Sequence, residues 1–302
     1  GRRCPWMTFY QSEASMAAMG PNFFEMDLDR VMGLAYWGAI DYLGESQGWP
    51  AKGWAQGCLD ISLEPKPKAY LLRSIFLPDE PLVHIGIIES KNDVMWNGIQ
   101  TGSDGMSDHW QRKTGDQLSL ITYTNADEVE LRLNGKSLGR QANPKDDPKH
   151  RNQIRWDNIP YEEGQLVAIA YRGGIIVAKH QIGTTGKAMK LRATPEDVVW
   201  QADGTDLMHV RIEAVDSKGR RVPMAQDELT FEVEGDARIV AVSSGNHNSD
   251  ELNVTDHRCL YNGSALIILR AGRTPGNITL TTSSTGFKTL NTNLRICPVP
   301  RI

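Results

Sequence analysis

Cysteine is scarce: the chain has four, Cys4, Cys58, Cys259 and Cys297, and they lie far apart. That spacing excludes a CxxC redox pair and a zinc ribbon, and the thiols are expected to be buried. The seven histidines, at positions 84, 109, 150, 180, 209, 247 and 257, are equally dispersed. No HExxH pair occurs among them, and no GxxxxGK[ST] loop is available to cradle phosphates. Loop carboxylates such as Asp104 and Asp108 carry the oxygen chemistry that a calcium or sodium ion would need, but no cofactor or metal centre is read from these patterns.

Long apolar runs are missing too. None approaches the roughly 20 residues that cross a bilayer, so no membrane partner is expected. There is no block of Lys and Arg long enough to follow a phosphate backbone, and the formal charge is -4, which excludes nucleic acid as a partner. The first residues, GRRCPWMTF, lack the apolar core of a secretory leader.

What is present is a globular composition with room for several domains. The 302 residues suffice for two or three domains, each with its own core. Up to about residue 80 the chain is rich in aromatics. PWMTFYQSE reads as a buried strand ending at a polar residue, MDLDRVMG as a helical turn or two, and LAYWGAIDYL as a second strand. After a loop, KPKAYLLRSIFLP places Tyr70, Leu71, Leu72, Ile75 and Phe76 at a spacing that suits a helix face, stopped by Pro78. This is the rhythm of an α/β unit.

From about residue 81 the pattern is that of strands. LVHIGII, DQLSLITYT, EVELRLNG, QLVAIAYR and GIIVAKHQIG are short alternating runs separated by Gly-containing steps, and they predict an antiparallel sandwich. Asn134 and Gly135 mark the clearest hairpin, because both residue types accept positive φ. A second set, from MKLRATP near Lys190 to GNITLTTSS, predicts a second sandwich. The motifs Asn253-Val-Thr, Asn262-Gly-Ser and Asn277-Ile-Thr would matter only in a host that glycosylates.

One acid stands out in the first region. Glu13 falls at the predicted C-terminal end of the first strand, which in a parallel barrel is the rim where side chains meet ligand. An isolated glutamate is more often a surface residue. Here, however, Trp37 sits near the end of the next predicted strand, and Asp41, Tyr42 and Glu45 follow within eight residues. Four of the eight tryptophans fall in the first 54 residues. Singly each is more often core than ligand contact, but beside paired acids an indole face suits the apolar face of a sugar ring. Hydrolysis at an acetal carbon needs two carboxyl groups with separated pKa values. A complete (β/α)8 barrel needs about 250 residues, and this region supplies about two of its units.

The ordered pattern resembles glycoside hydrolase family 2, especially its β-galactosidase-like members. SEAS around Glu13, YWGAIDYLGES at Tyr36 to Ser46 and GCLDISLEPKPKAYLLRS are similar to the last two strand-helix units of that family's catalytic barrel. LVHI at Leu82, HW at His109 and TNADEVELRLNGKSLG are similar to its β-sandwich. GTDLMHVRIEAVDSKGRRVP and SSGNHNSDE resemble its C-terminal immunoglobulin-like module.

The resemblance implies a barrel remnant over residues 1–80, a β-sandwich over 81–187 and an immunoglobulin-like sandwich over 188–302. It also implies that Glu13 is the nucleophile of a retaining exo-β-glycosidase acting on terminal non-reducing sugars, with Trp37, Asp41, Tyr42 and Glu45 around the sugar. The acid/base glutamate of the family lies on an earlier barrel strand that this sequence does not contain. Expected partners are therefore a carbohydrate substrate and an N-terminal part of the same protein, and the chain alone is expected to be inactive.

Uncovered strand edges invite pairing, and a homo-oligomer is one way to cover them. The family suggests a bacterial enzyme of the periplasm or the cell exterior. Two departures are visible: AAMGPNFF where many members have an SRG-like stretch, and YWGA where many have WTG. The alternative reading is a non-catalytic carbohydrate-binding or structural multi-sandwich protein, whose affinity would depend on sandwich-loop aromatics such as Trp96 or Trp110.

Overall fold

A computed structural model describes residues 8–14, 23–24, 29–45, 52–91, 95–96, 99–100 and 104–300. Cys4, Trp6 and Trp49 lie outside the described residues, as do the side chains of Glu13 and Trp96. The architecture is multidomain and rich in β-sheet, and two compact units are distinguished, divided chiefly at Thr184/Thr185. Among the described residues no helix is long and apolar enough to cross a membrane.

The first unit opens with strands β1 (Phe9–Ala14) and β2 (Val31–Tyr36), which pair in parallel. No further strand joins this pair among the described residues, so no closed barrel is formed by them. The second strand was expected over LAYWGAIDYL; it starts earlier and stops at Tyr36 instead. The ladder with β1 runs to Ala14, whose carbonyl accepts from the N–H of Trp37 at 2.8 Å, and among the described residues β2 has no partner beyond that point. The chain bends there, with the Trp37–Gly38 peptide cis.

Helix α1 (Ala69–Phe76) forms where the apolar spacing predicts it. Pro67 precedes its Lys68 N-cap, Arg73 sits in its last turn where a cation complements the helix dipole, and Pro78 prevents continuation. Its inner face is narrower than the sequence suggests. Leu71 and Ser74 are buried, whereas Phe76 is largely exposed. Leu71, Tyr70, Leu72 and Ile75 close a small core with Ala14, Leu34, Tyr36, Cys58 and Tyr123.

Eight strands follow: β3 (Val83–Ser90), β4 (Gly105–Ser107), β5 (Gln117–Thr124), β6 (Glu128–Leu133), β7 (Lys136–Ala142), β8 (Gln153–Pro160), β9 (Gln165–Arg172) and β10 (Ile175–Gly183). They make two four-stranded antiparallel sheets, ordered β8-β5-β3-β4 and β7-β6-β9-β10. Alternate residues of both sheets point into one core: Val129, Leu131 and Leu133 from β6, Leu166, Ala168 and Ala170 from β9, Val83, Ile85 and Ile87 from β3. The β6–β7 hairpin turns at Asn134 and Gly135, with φ of 50° and 83°. Asn125 stitches the entry to this region: its side-chain amide donates to the carbonyls of Leu77, Pro78 and Glu80, and its oxygen accepts from Leu82 N–H.

In the second unit, β11 (Lys190–Pro195), β12 (Leu207–Val215), β13 (Glu228–Glu234), β14 (Ala237–Ser243), β15 (His257–Cys259), β16 (Ser264–Ala271), β17 (Gly276–Ser284) and β18 (Phe287–Ile296) form another pair of four-stranded sheets, ordered β11-β12-β16-β14 and β15-β13-β17-β18. Period-2 burial is clear in β12, where Met208, Val210, Ile212 and Ala214 are inside, and in β13, where Leu229 and Phe231 are. Trp200 seals one end of this core and donates its indole N–H to the carbonyl of Asp206 at 3.1 Å.

Candidate functional site

The parallel pairing of β1 and β2 aligns Ala14 with Tyr36. The main chain of Glu13 and that of Trp37 therefore leave the same end of adjacent strands. Trp37 is 46% exposed. Its ring meets Tyr42 edge to face at 6.4 Å, and Tyr42 in turn stacks on Trp54 at 5.5 Å. Polar atoms run through the same group: Trp37 Nε1 donates to Tyr42 Oη at 3.1 Å, and Tyr42 Oη donates to Glu45 Oε2 at 2.5 Å. Such a half-open indole, oriented through its N–H, presents a rigid apolar face beside hydrogen-bonding groups.

Asp41 has a different setting. It is 4% exposed and its carboxylate is engaged by Lys66 Nζ, at 2.6 and 2.7 Å, and by Gly57 N–H at 2.8 Å. Lys66 also donates to the carbonyl of Ala55 at 2.8 Å. A side chain at Gly57 would have no room, since a Cβ would lie 2.5 Å from the Asp41 nitrogen. Desolvation by burial pushes the Asp41 carboxyl up and outweighs the attraction of Lys66. The Asp41 carboxylate thus braces residues 55–57 and 66 against the Trp37 to Tyr42 bend.

Behind the bend, Tyr36 Oη and Cys58 Sγ approach to 3.2 Å. Burial raises the pKa values of both. Lys68 is buried, and burial followed by the nearby Lys66 lowers it to about 8. Of the described cysteines Cys58 is buried and Cys259 and Cys297 are only partly so, which corrects the expectation of uniformly buried thiols. Sequence reading missed Lys66, Lys68 and Gly57, and counted Trp54 only among the four tryptophans of the first 54 residues.

The string Gly44 to Gly48 carries the GxSxG spacing of a nucleophile elbow, a motif that requires a strand-to-helix turn. Here it follows the two-residue strand Tyr42–Leu43, and residues 46–51 lie outside the described set. Among the described residues no group of three or more His, Cys, Asp or Glu side chains converges as a metal-ligand set. Trp110, which a sandwich-loop binding surface would need exposed, is 1% exposed and donates its indole N–H to the carbonyl of Glu162 at 2.9 Å. It belongs to the core.

Comparison with known proteins bears on the same chain. Residues 191–293 match Glycoside hydrolase family 2 C-terminal domain 5. This chain contains a glycoside hydrolase family 2 domain. Residues 115–178 match a domain of unknown function, DUF4982. A β-galactosidase of Bacteroides ovatus is 31% identical over 265 residues, covering 87% of this chain and 28% of that protein. A β-glucuronidase of Formosa agariphila is 26% identical over 249 residues, covering 81% of this chain and 22% of that protein.

Among solved structures, a glycosyl hydrolase family 2 member from Bacteroides cellulosilyticus superposes with a TM-score of 0.85 at 30% identity, over 98% of this chain and 40% of that one. A β-glycosidase from Bacteroides vulgatus gives 0.75 at 25% identity, over 90% and 32%. The chain thus spans well under half the length of these relatives.

Proposed function

We propose that this chain is the C-terminal part of a retaining exo-β-glycosidase, β-galactosidase-like, that releases terminal non-reducing β-linked sugars. The observation that carries the reading is the β1–β2 pairing, which sets the backbone of Glu13 beside the end of the strand that bears Trp37. In a parallel α/β barrel the C-terminal strand ends form the ligand face. The barrel remnant spans 1–80, a β-sandwich 81–187 and an immunoglobulin-like sandwich 188–302. Similarity to bacterial glycosidases supports the reading, which includes a bacterial protein of the periplasm or the cell exterior.

In this mechanism the Glu13 carboxylate attacks the anomeric carbon as the leaving oxygen departs, giving a covalent glycosyl-enzyme that water then hydrolyses. Protonation of the leaving oxygen falls to an acid/base carboxyl about 5–5.5 Å away, contributed by the N-terminal part of the same protein. Trp37 supplies the platform under the ring, Tyr42 and Glu45 bind hydroxyls, and Asp41 acts on the sugar through the bend that it braces. Without the acid/base group the 302-residue chain alone hydrolyses negligibly.

The test is intact-mass labelling of the full-length protein with an activated 2-deoxy-2-fluoro-β-galactoside, followed by peptide mapping. Label on Glu13 is expected. No label there, with this reagent and with the matching glucoside, mannoside and glucuronide, overturns the assignment.

A further inference from the structure

The second unit carries a cleft of about 510 Å³ whose walls include Arg238, Arg270 and Arg273, a size within the roughly 300–1,000 Å³ of small-ligand sites. Arg238 on edge strand β14 and Arg270 on β16 are direct cross-strand partners. Their neighbours Ile239 and Leu269 turn toward the core, so alternation sends both arginines to the opposite face. Like charges placed directly opposite repel. Among the described residues neither arginine is relieved by an ion pair, unlike Arg192, Arg211, Arg220 and Arg221 of the same unit.

Arg273 joins them from the turn after β16. Gly204, at φ of 81°, leaves room for it: a Cβ there would come within 3.2 Å of Arg273 Nε and 3.3 Å of its Cγ. Two carboxylates stand near, and both accept from the main chain; Asp236 also lines the cleft, and the charge of Arg273 also acts on Asp203. Asp236 accepts from Thr274 N–H at 2.7 Å and is pressed against Gly272, where a Cβ would clash at 2.1 Å. Asp203 accepts from the N–H groups of Thr205 and Asp206, each at 2.7 Å. The rest of the lining is small, and no aromatic ring contributes. A surface of this kind recognises charge rather than stacking on a neutral sugar ring.

We propose that Arg238, Arg270 and Arg273 bind the oxyanion of an acidic saccharide, a carboxylate or a sulfate ester, at a site on the second unit. The oxyanion part stands on the arginines alone, and the saccharide part rests on the glycosidase reading. Planar guanidinium forks give such an oxyanion paired N–H donors, which ammonium groups do not match.

The test is calorimetric titration of the 302-residue chain with a glucuronate-containing trisaccharide, a sulfated galactose trisaccharide, neutral galactotriose and inorganic sulfate. One or both acidic trisaccharides are expected to bind and galactotriose not to, and the two acidic arms tell carboxylate from sulfate. Arg238→Ala/Arg270→Ala is expected to weaken binding by about ten-fold or more, and Arg238→Lys/Arg270→Lys to restore only part of it. The lysine pair keeps charge at the same positions, so a shared loss of folding is distinguishable by thermal unfolding.

Equal binding of galactotriose overturns the proposal. So does sulfate bound as tightly as the sulfated trisaccharide, unchanged binding in the alanine pair, or no binding of either acidic probe. Failure of the Glu13 labelling experiment would leave a positive titration standing, so the two readings fail separately.

Discussion

The N–H of Trp37 donates to the carbonyl of Ala14 over 2.8 Å, fastening the bend after β2 to the last residue of β1. That bond fixes where the indole emerges relative to the strand end that carries Glu13. Trp37→Ala in the full-length protein is therefore expected to raise KM about ten-fold, in line with the loss of an aromatic platform. The thermal midpoint should move little, since the ring is half exposed. Tyr42→Phe cuts the link between Trp37 and Glu45 and is expected to cost about 1 kcal/mol of transition-state binding. Steady-state kinetics on both variants check this, and unchanged KM in Trp37→Ala would remove the ring from the sugar site.

Lys66 and Asp41 form a pair in which the aspartate is almost fully buried. Lys66→Met leaves that carboxylate without its cation and is expected to destabilise the first unit by about 3 kcal/mol. Because burial already raises the Asp41 pKa, the variant should recover stability as the pH is lowered and the carboxyl takes a proton. Urea unfolding followed by tryptophan fluorescence at pH 5 and pH 8 measures both effects. A loss independent of pH would mean that Asp41 is not the group left uncompensated.

His84 stacks on Tyr70 at 3.6 Å and meets the tilted ring of His180 at 4.0 Å. Burial first, and then His180, lower its pKa to about 2. The unfolded chain takes up this proton near pH 6.5, so between about pH 6.5 and 2 the unfolded state holds a proton that the native state lacks. Stability consequently falls as pH drops through that window, by up to about 1.4 kcal/mol per pH unit from this residue. His84→Phe should flatten the profile by that amount. Urea midpoints at pH 4, 5, 6 and 7 are the measurement, and parallel profiles would show that the ring is not held neutral.

Asp216 closes the turn after β12, accepting from the guanidinium of Arg220 at 2.6 and 2.9 Å and from the N–H groups of Gly186, Lys218 and Arg220. Burial opposes its charge, but these donors outweigh that and hold the carboxyl well below its usual range. A depressed carboxylate stabilises above its unfolded value near 3.9 and loses that contribution as pH falls toward the folded value. Asp216→Asn is thus expected to cost about 2 kcal/mol at pH 7 and progressively less below pH 4. Calorimetry of the second unit's transition at pH 7 and pH 3 decides it.

Much of the sheet structure was legible because a strand's inside and outside alternate along the covalent chain. The runs at 128–133, 165–172 and 207–215 have that period, and Asn134-Gly135 supplies the backbone freedom that their hairpin needs. Strand β18, FKTLNTNLRI, escaped notice because it lies at a sheet edge and buries little beyond Leu294 and Ile296. Strand β8 escaped for another reason: its alternation from Ile154 to Asp157 is broken by an irregularity between Trp156 and Ile159, where Asn158 takes φ of 56°.

The sequence by itself determined the local material of the candidate site: Trp37, Asp41, Tyr42 and Glu45 fall within nine residues, and α1 follows from the spacing of its apolar residues. Only the tertiary structure decided which of them faces outward. Asp41 is turned in because Lys66, 25 residues on, meets its carboxylate, and Trp110 is core because the carbonyl of Glu162, 52 residues away, accepts its N–H. Arg238 and Arg270 of the second unit are likewise brought together by strand register. Period and propensity act between neighbours in the chain, whereas burial and charge pairing act between residues that only folding makes neighbours.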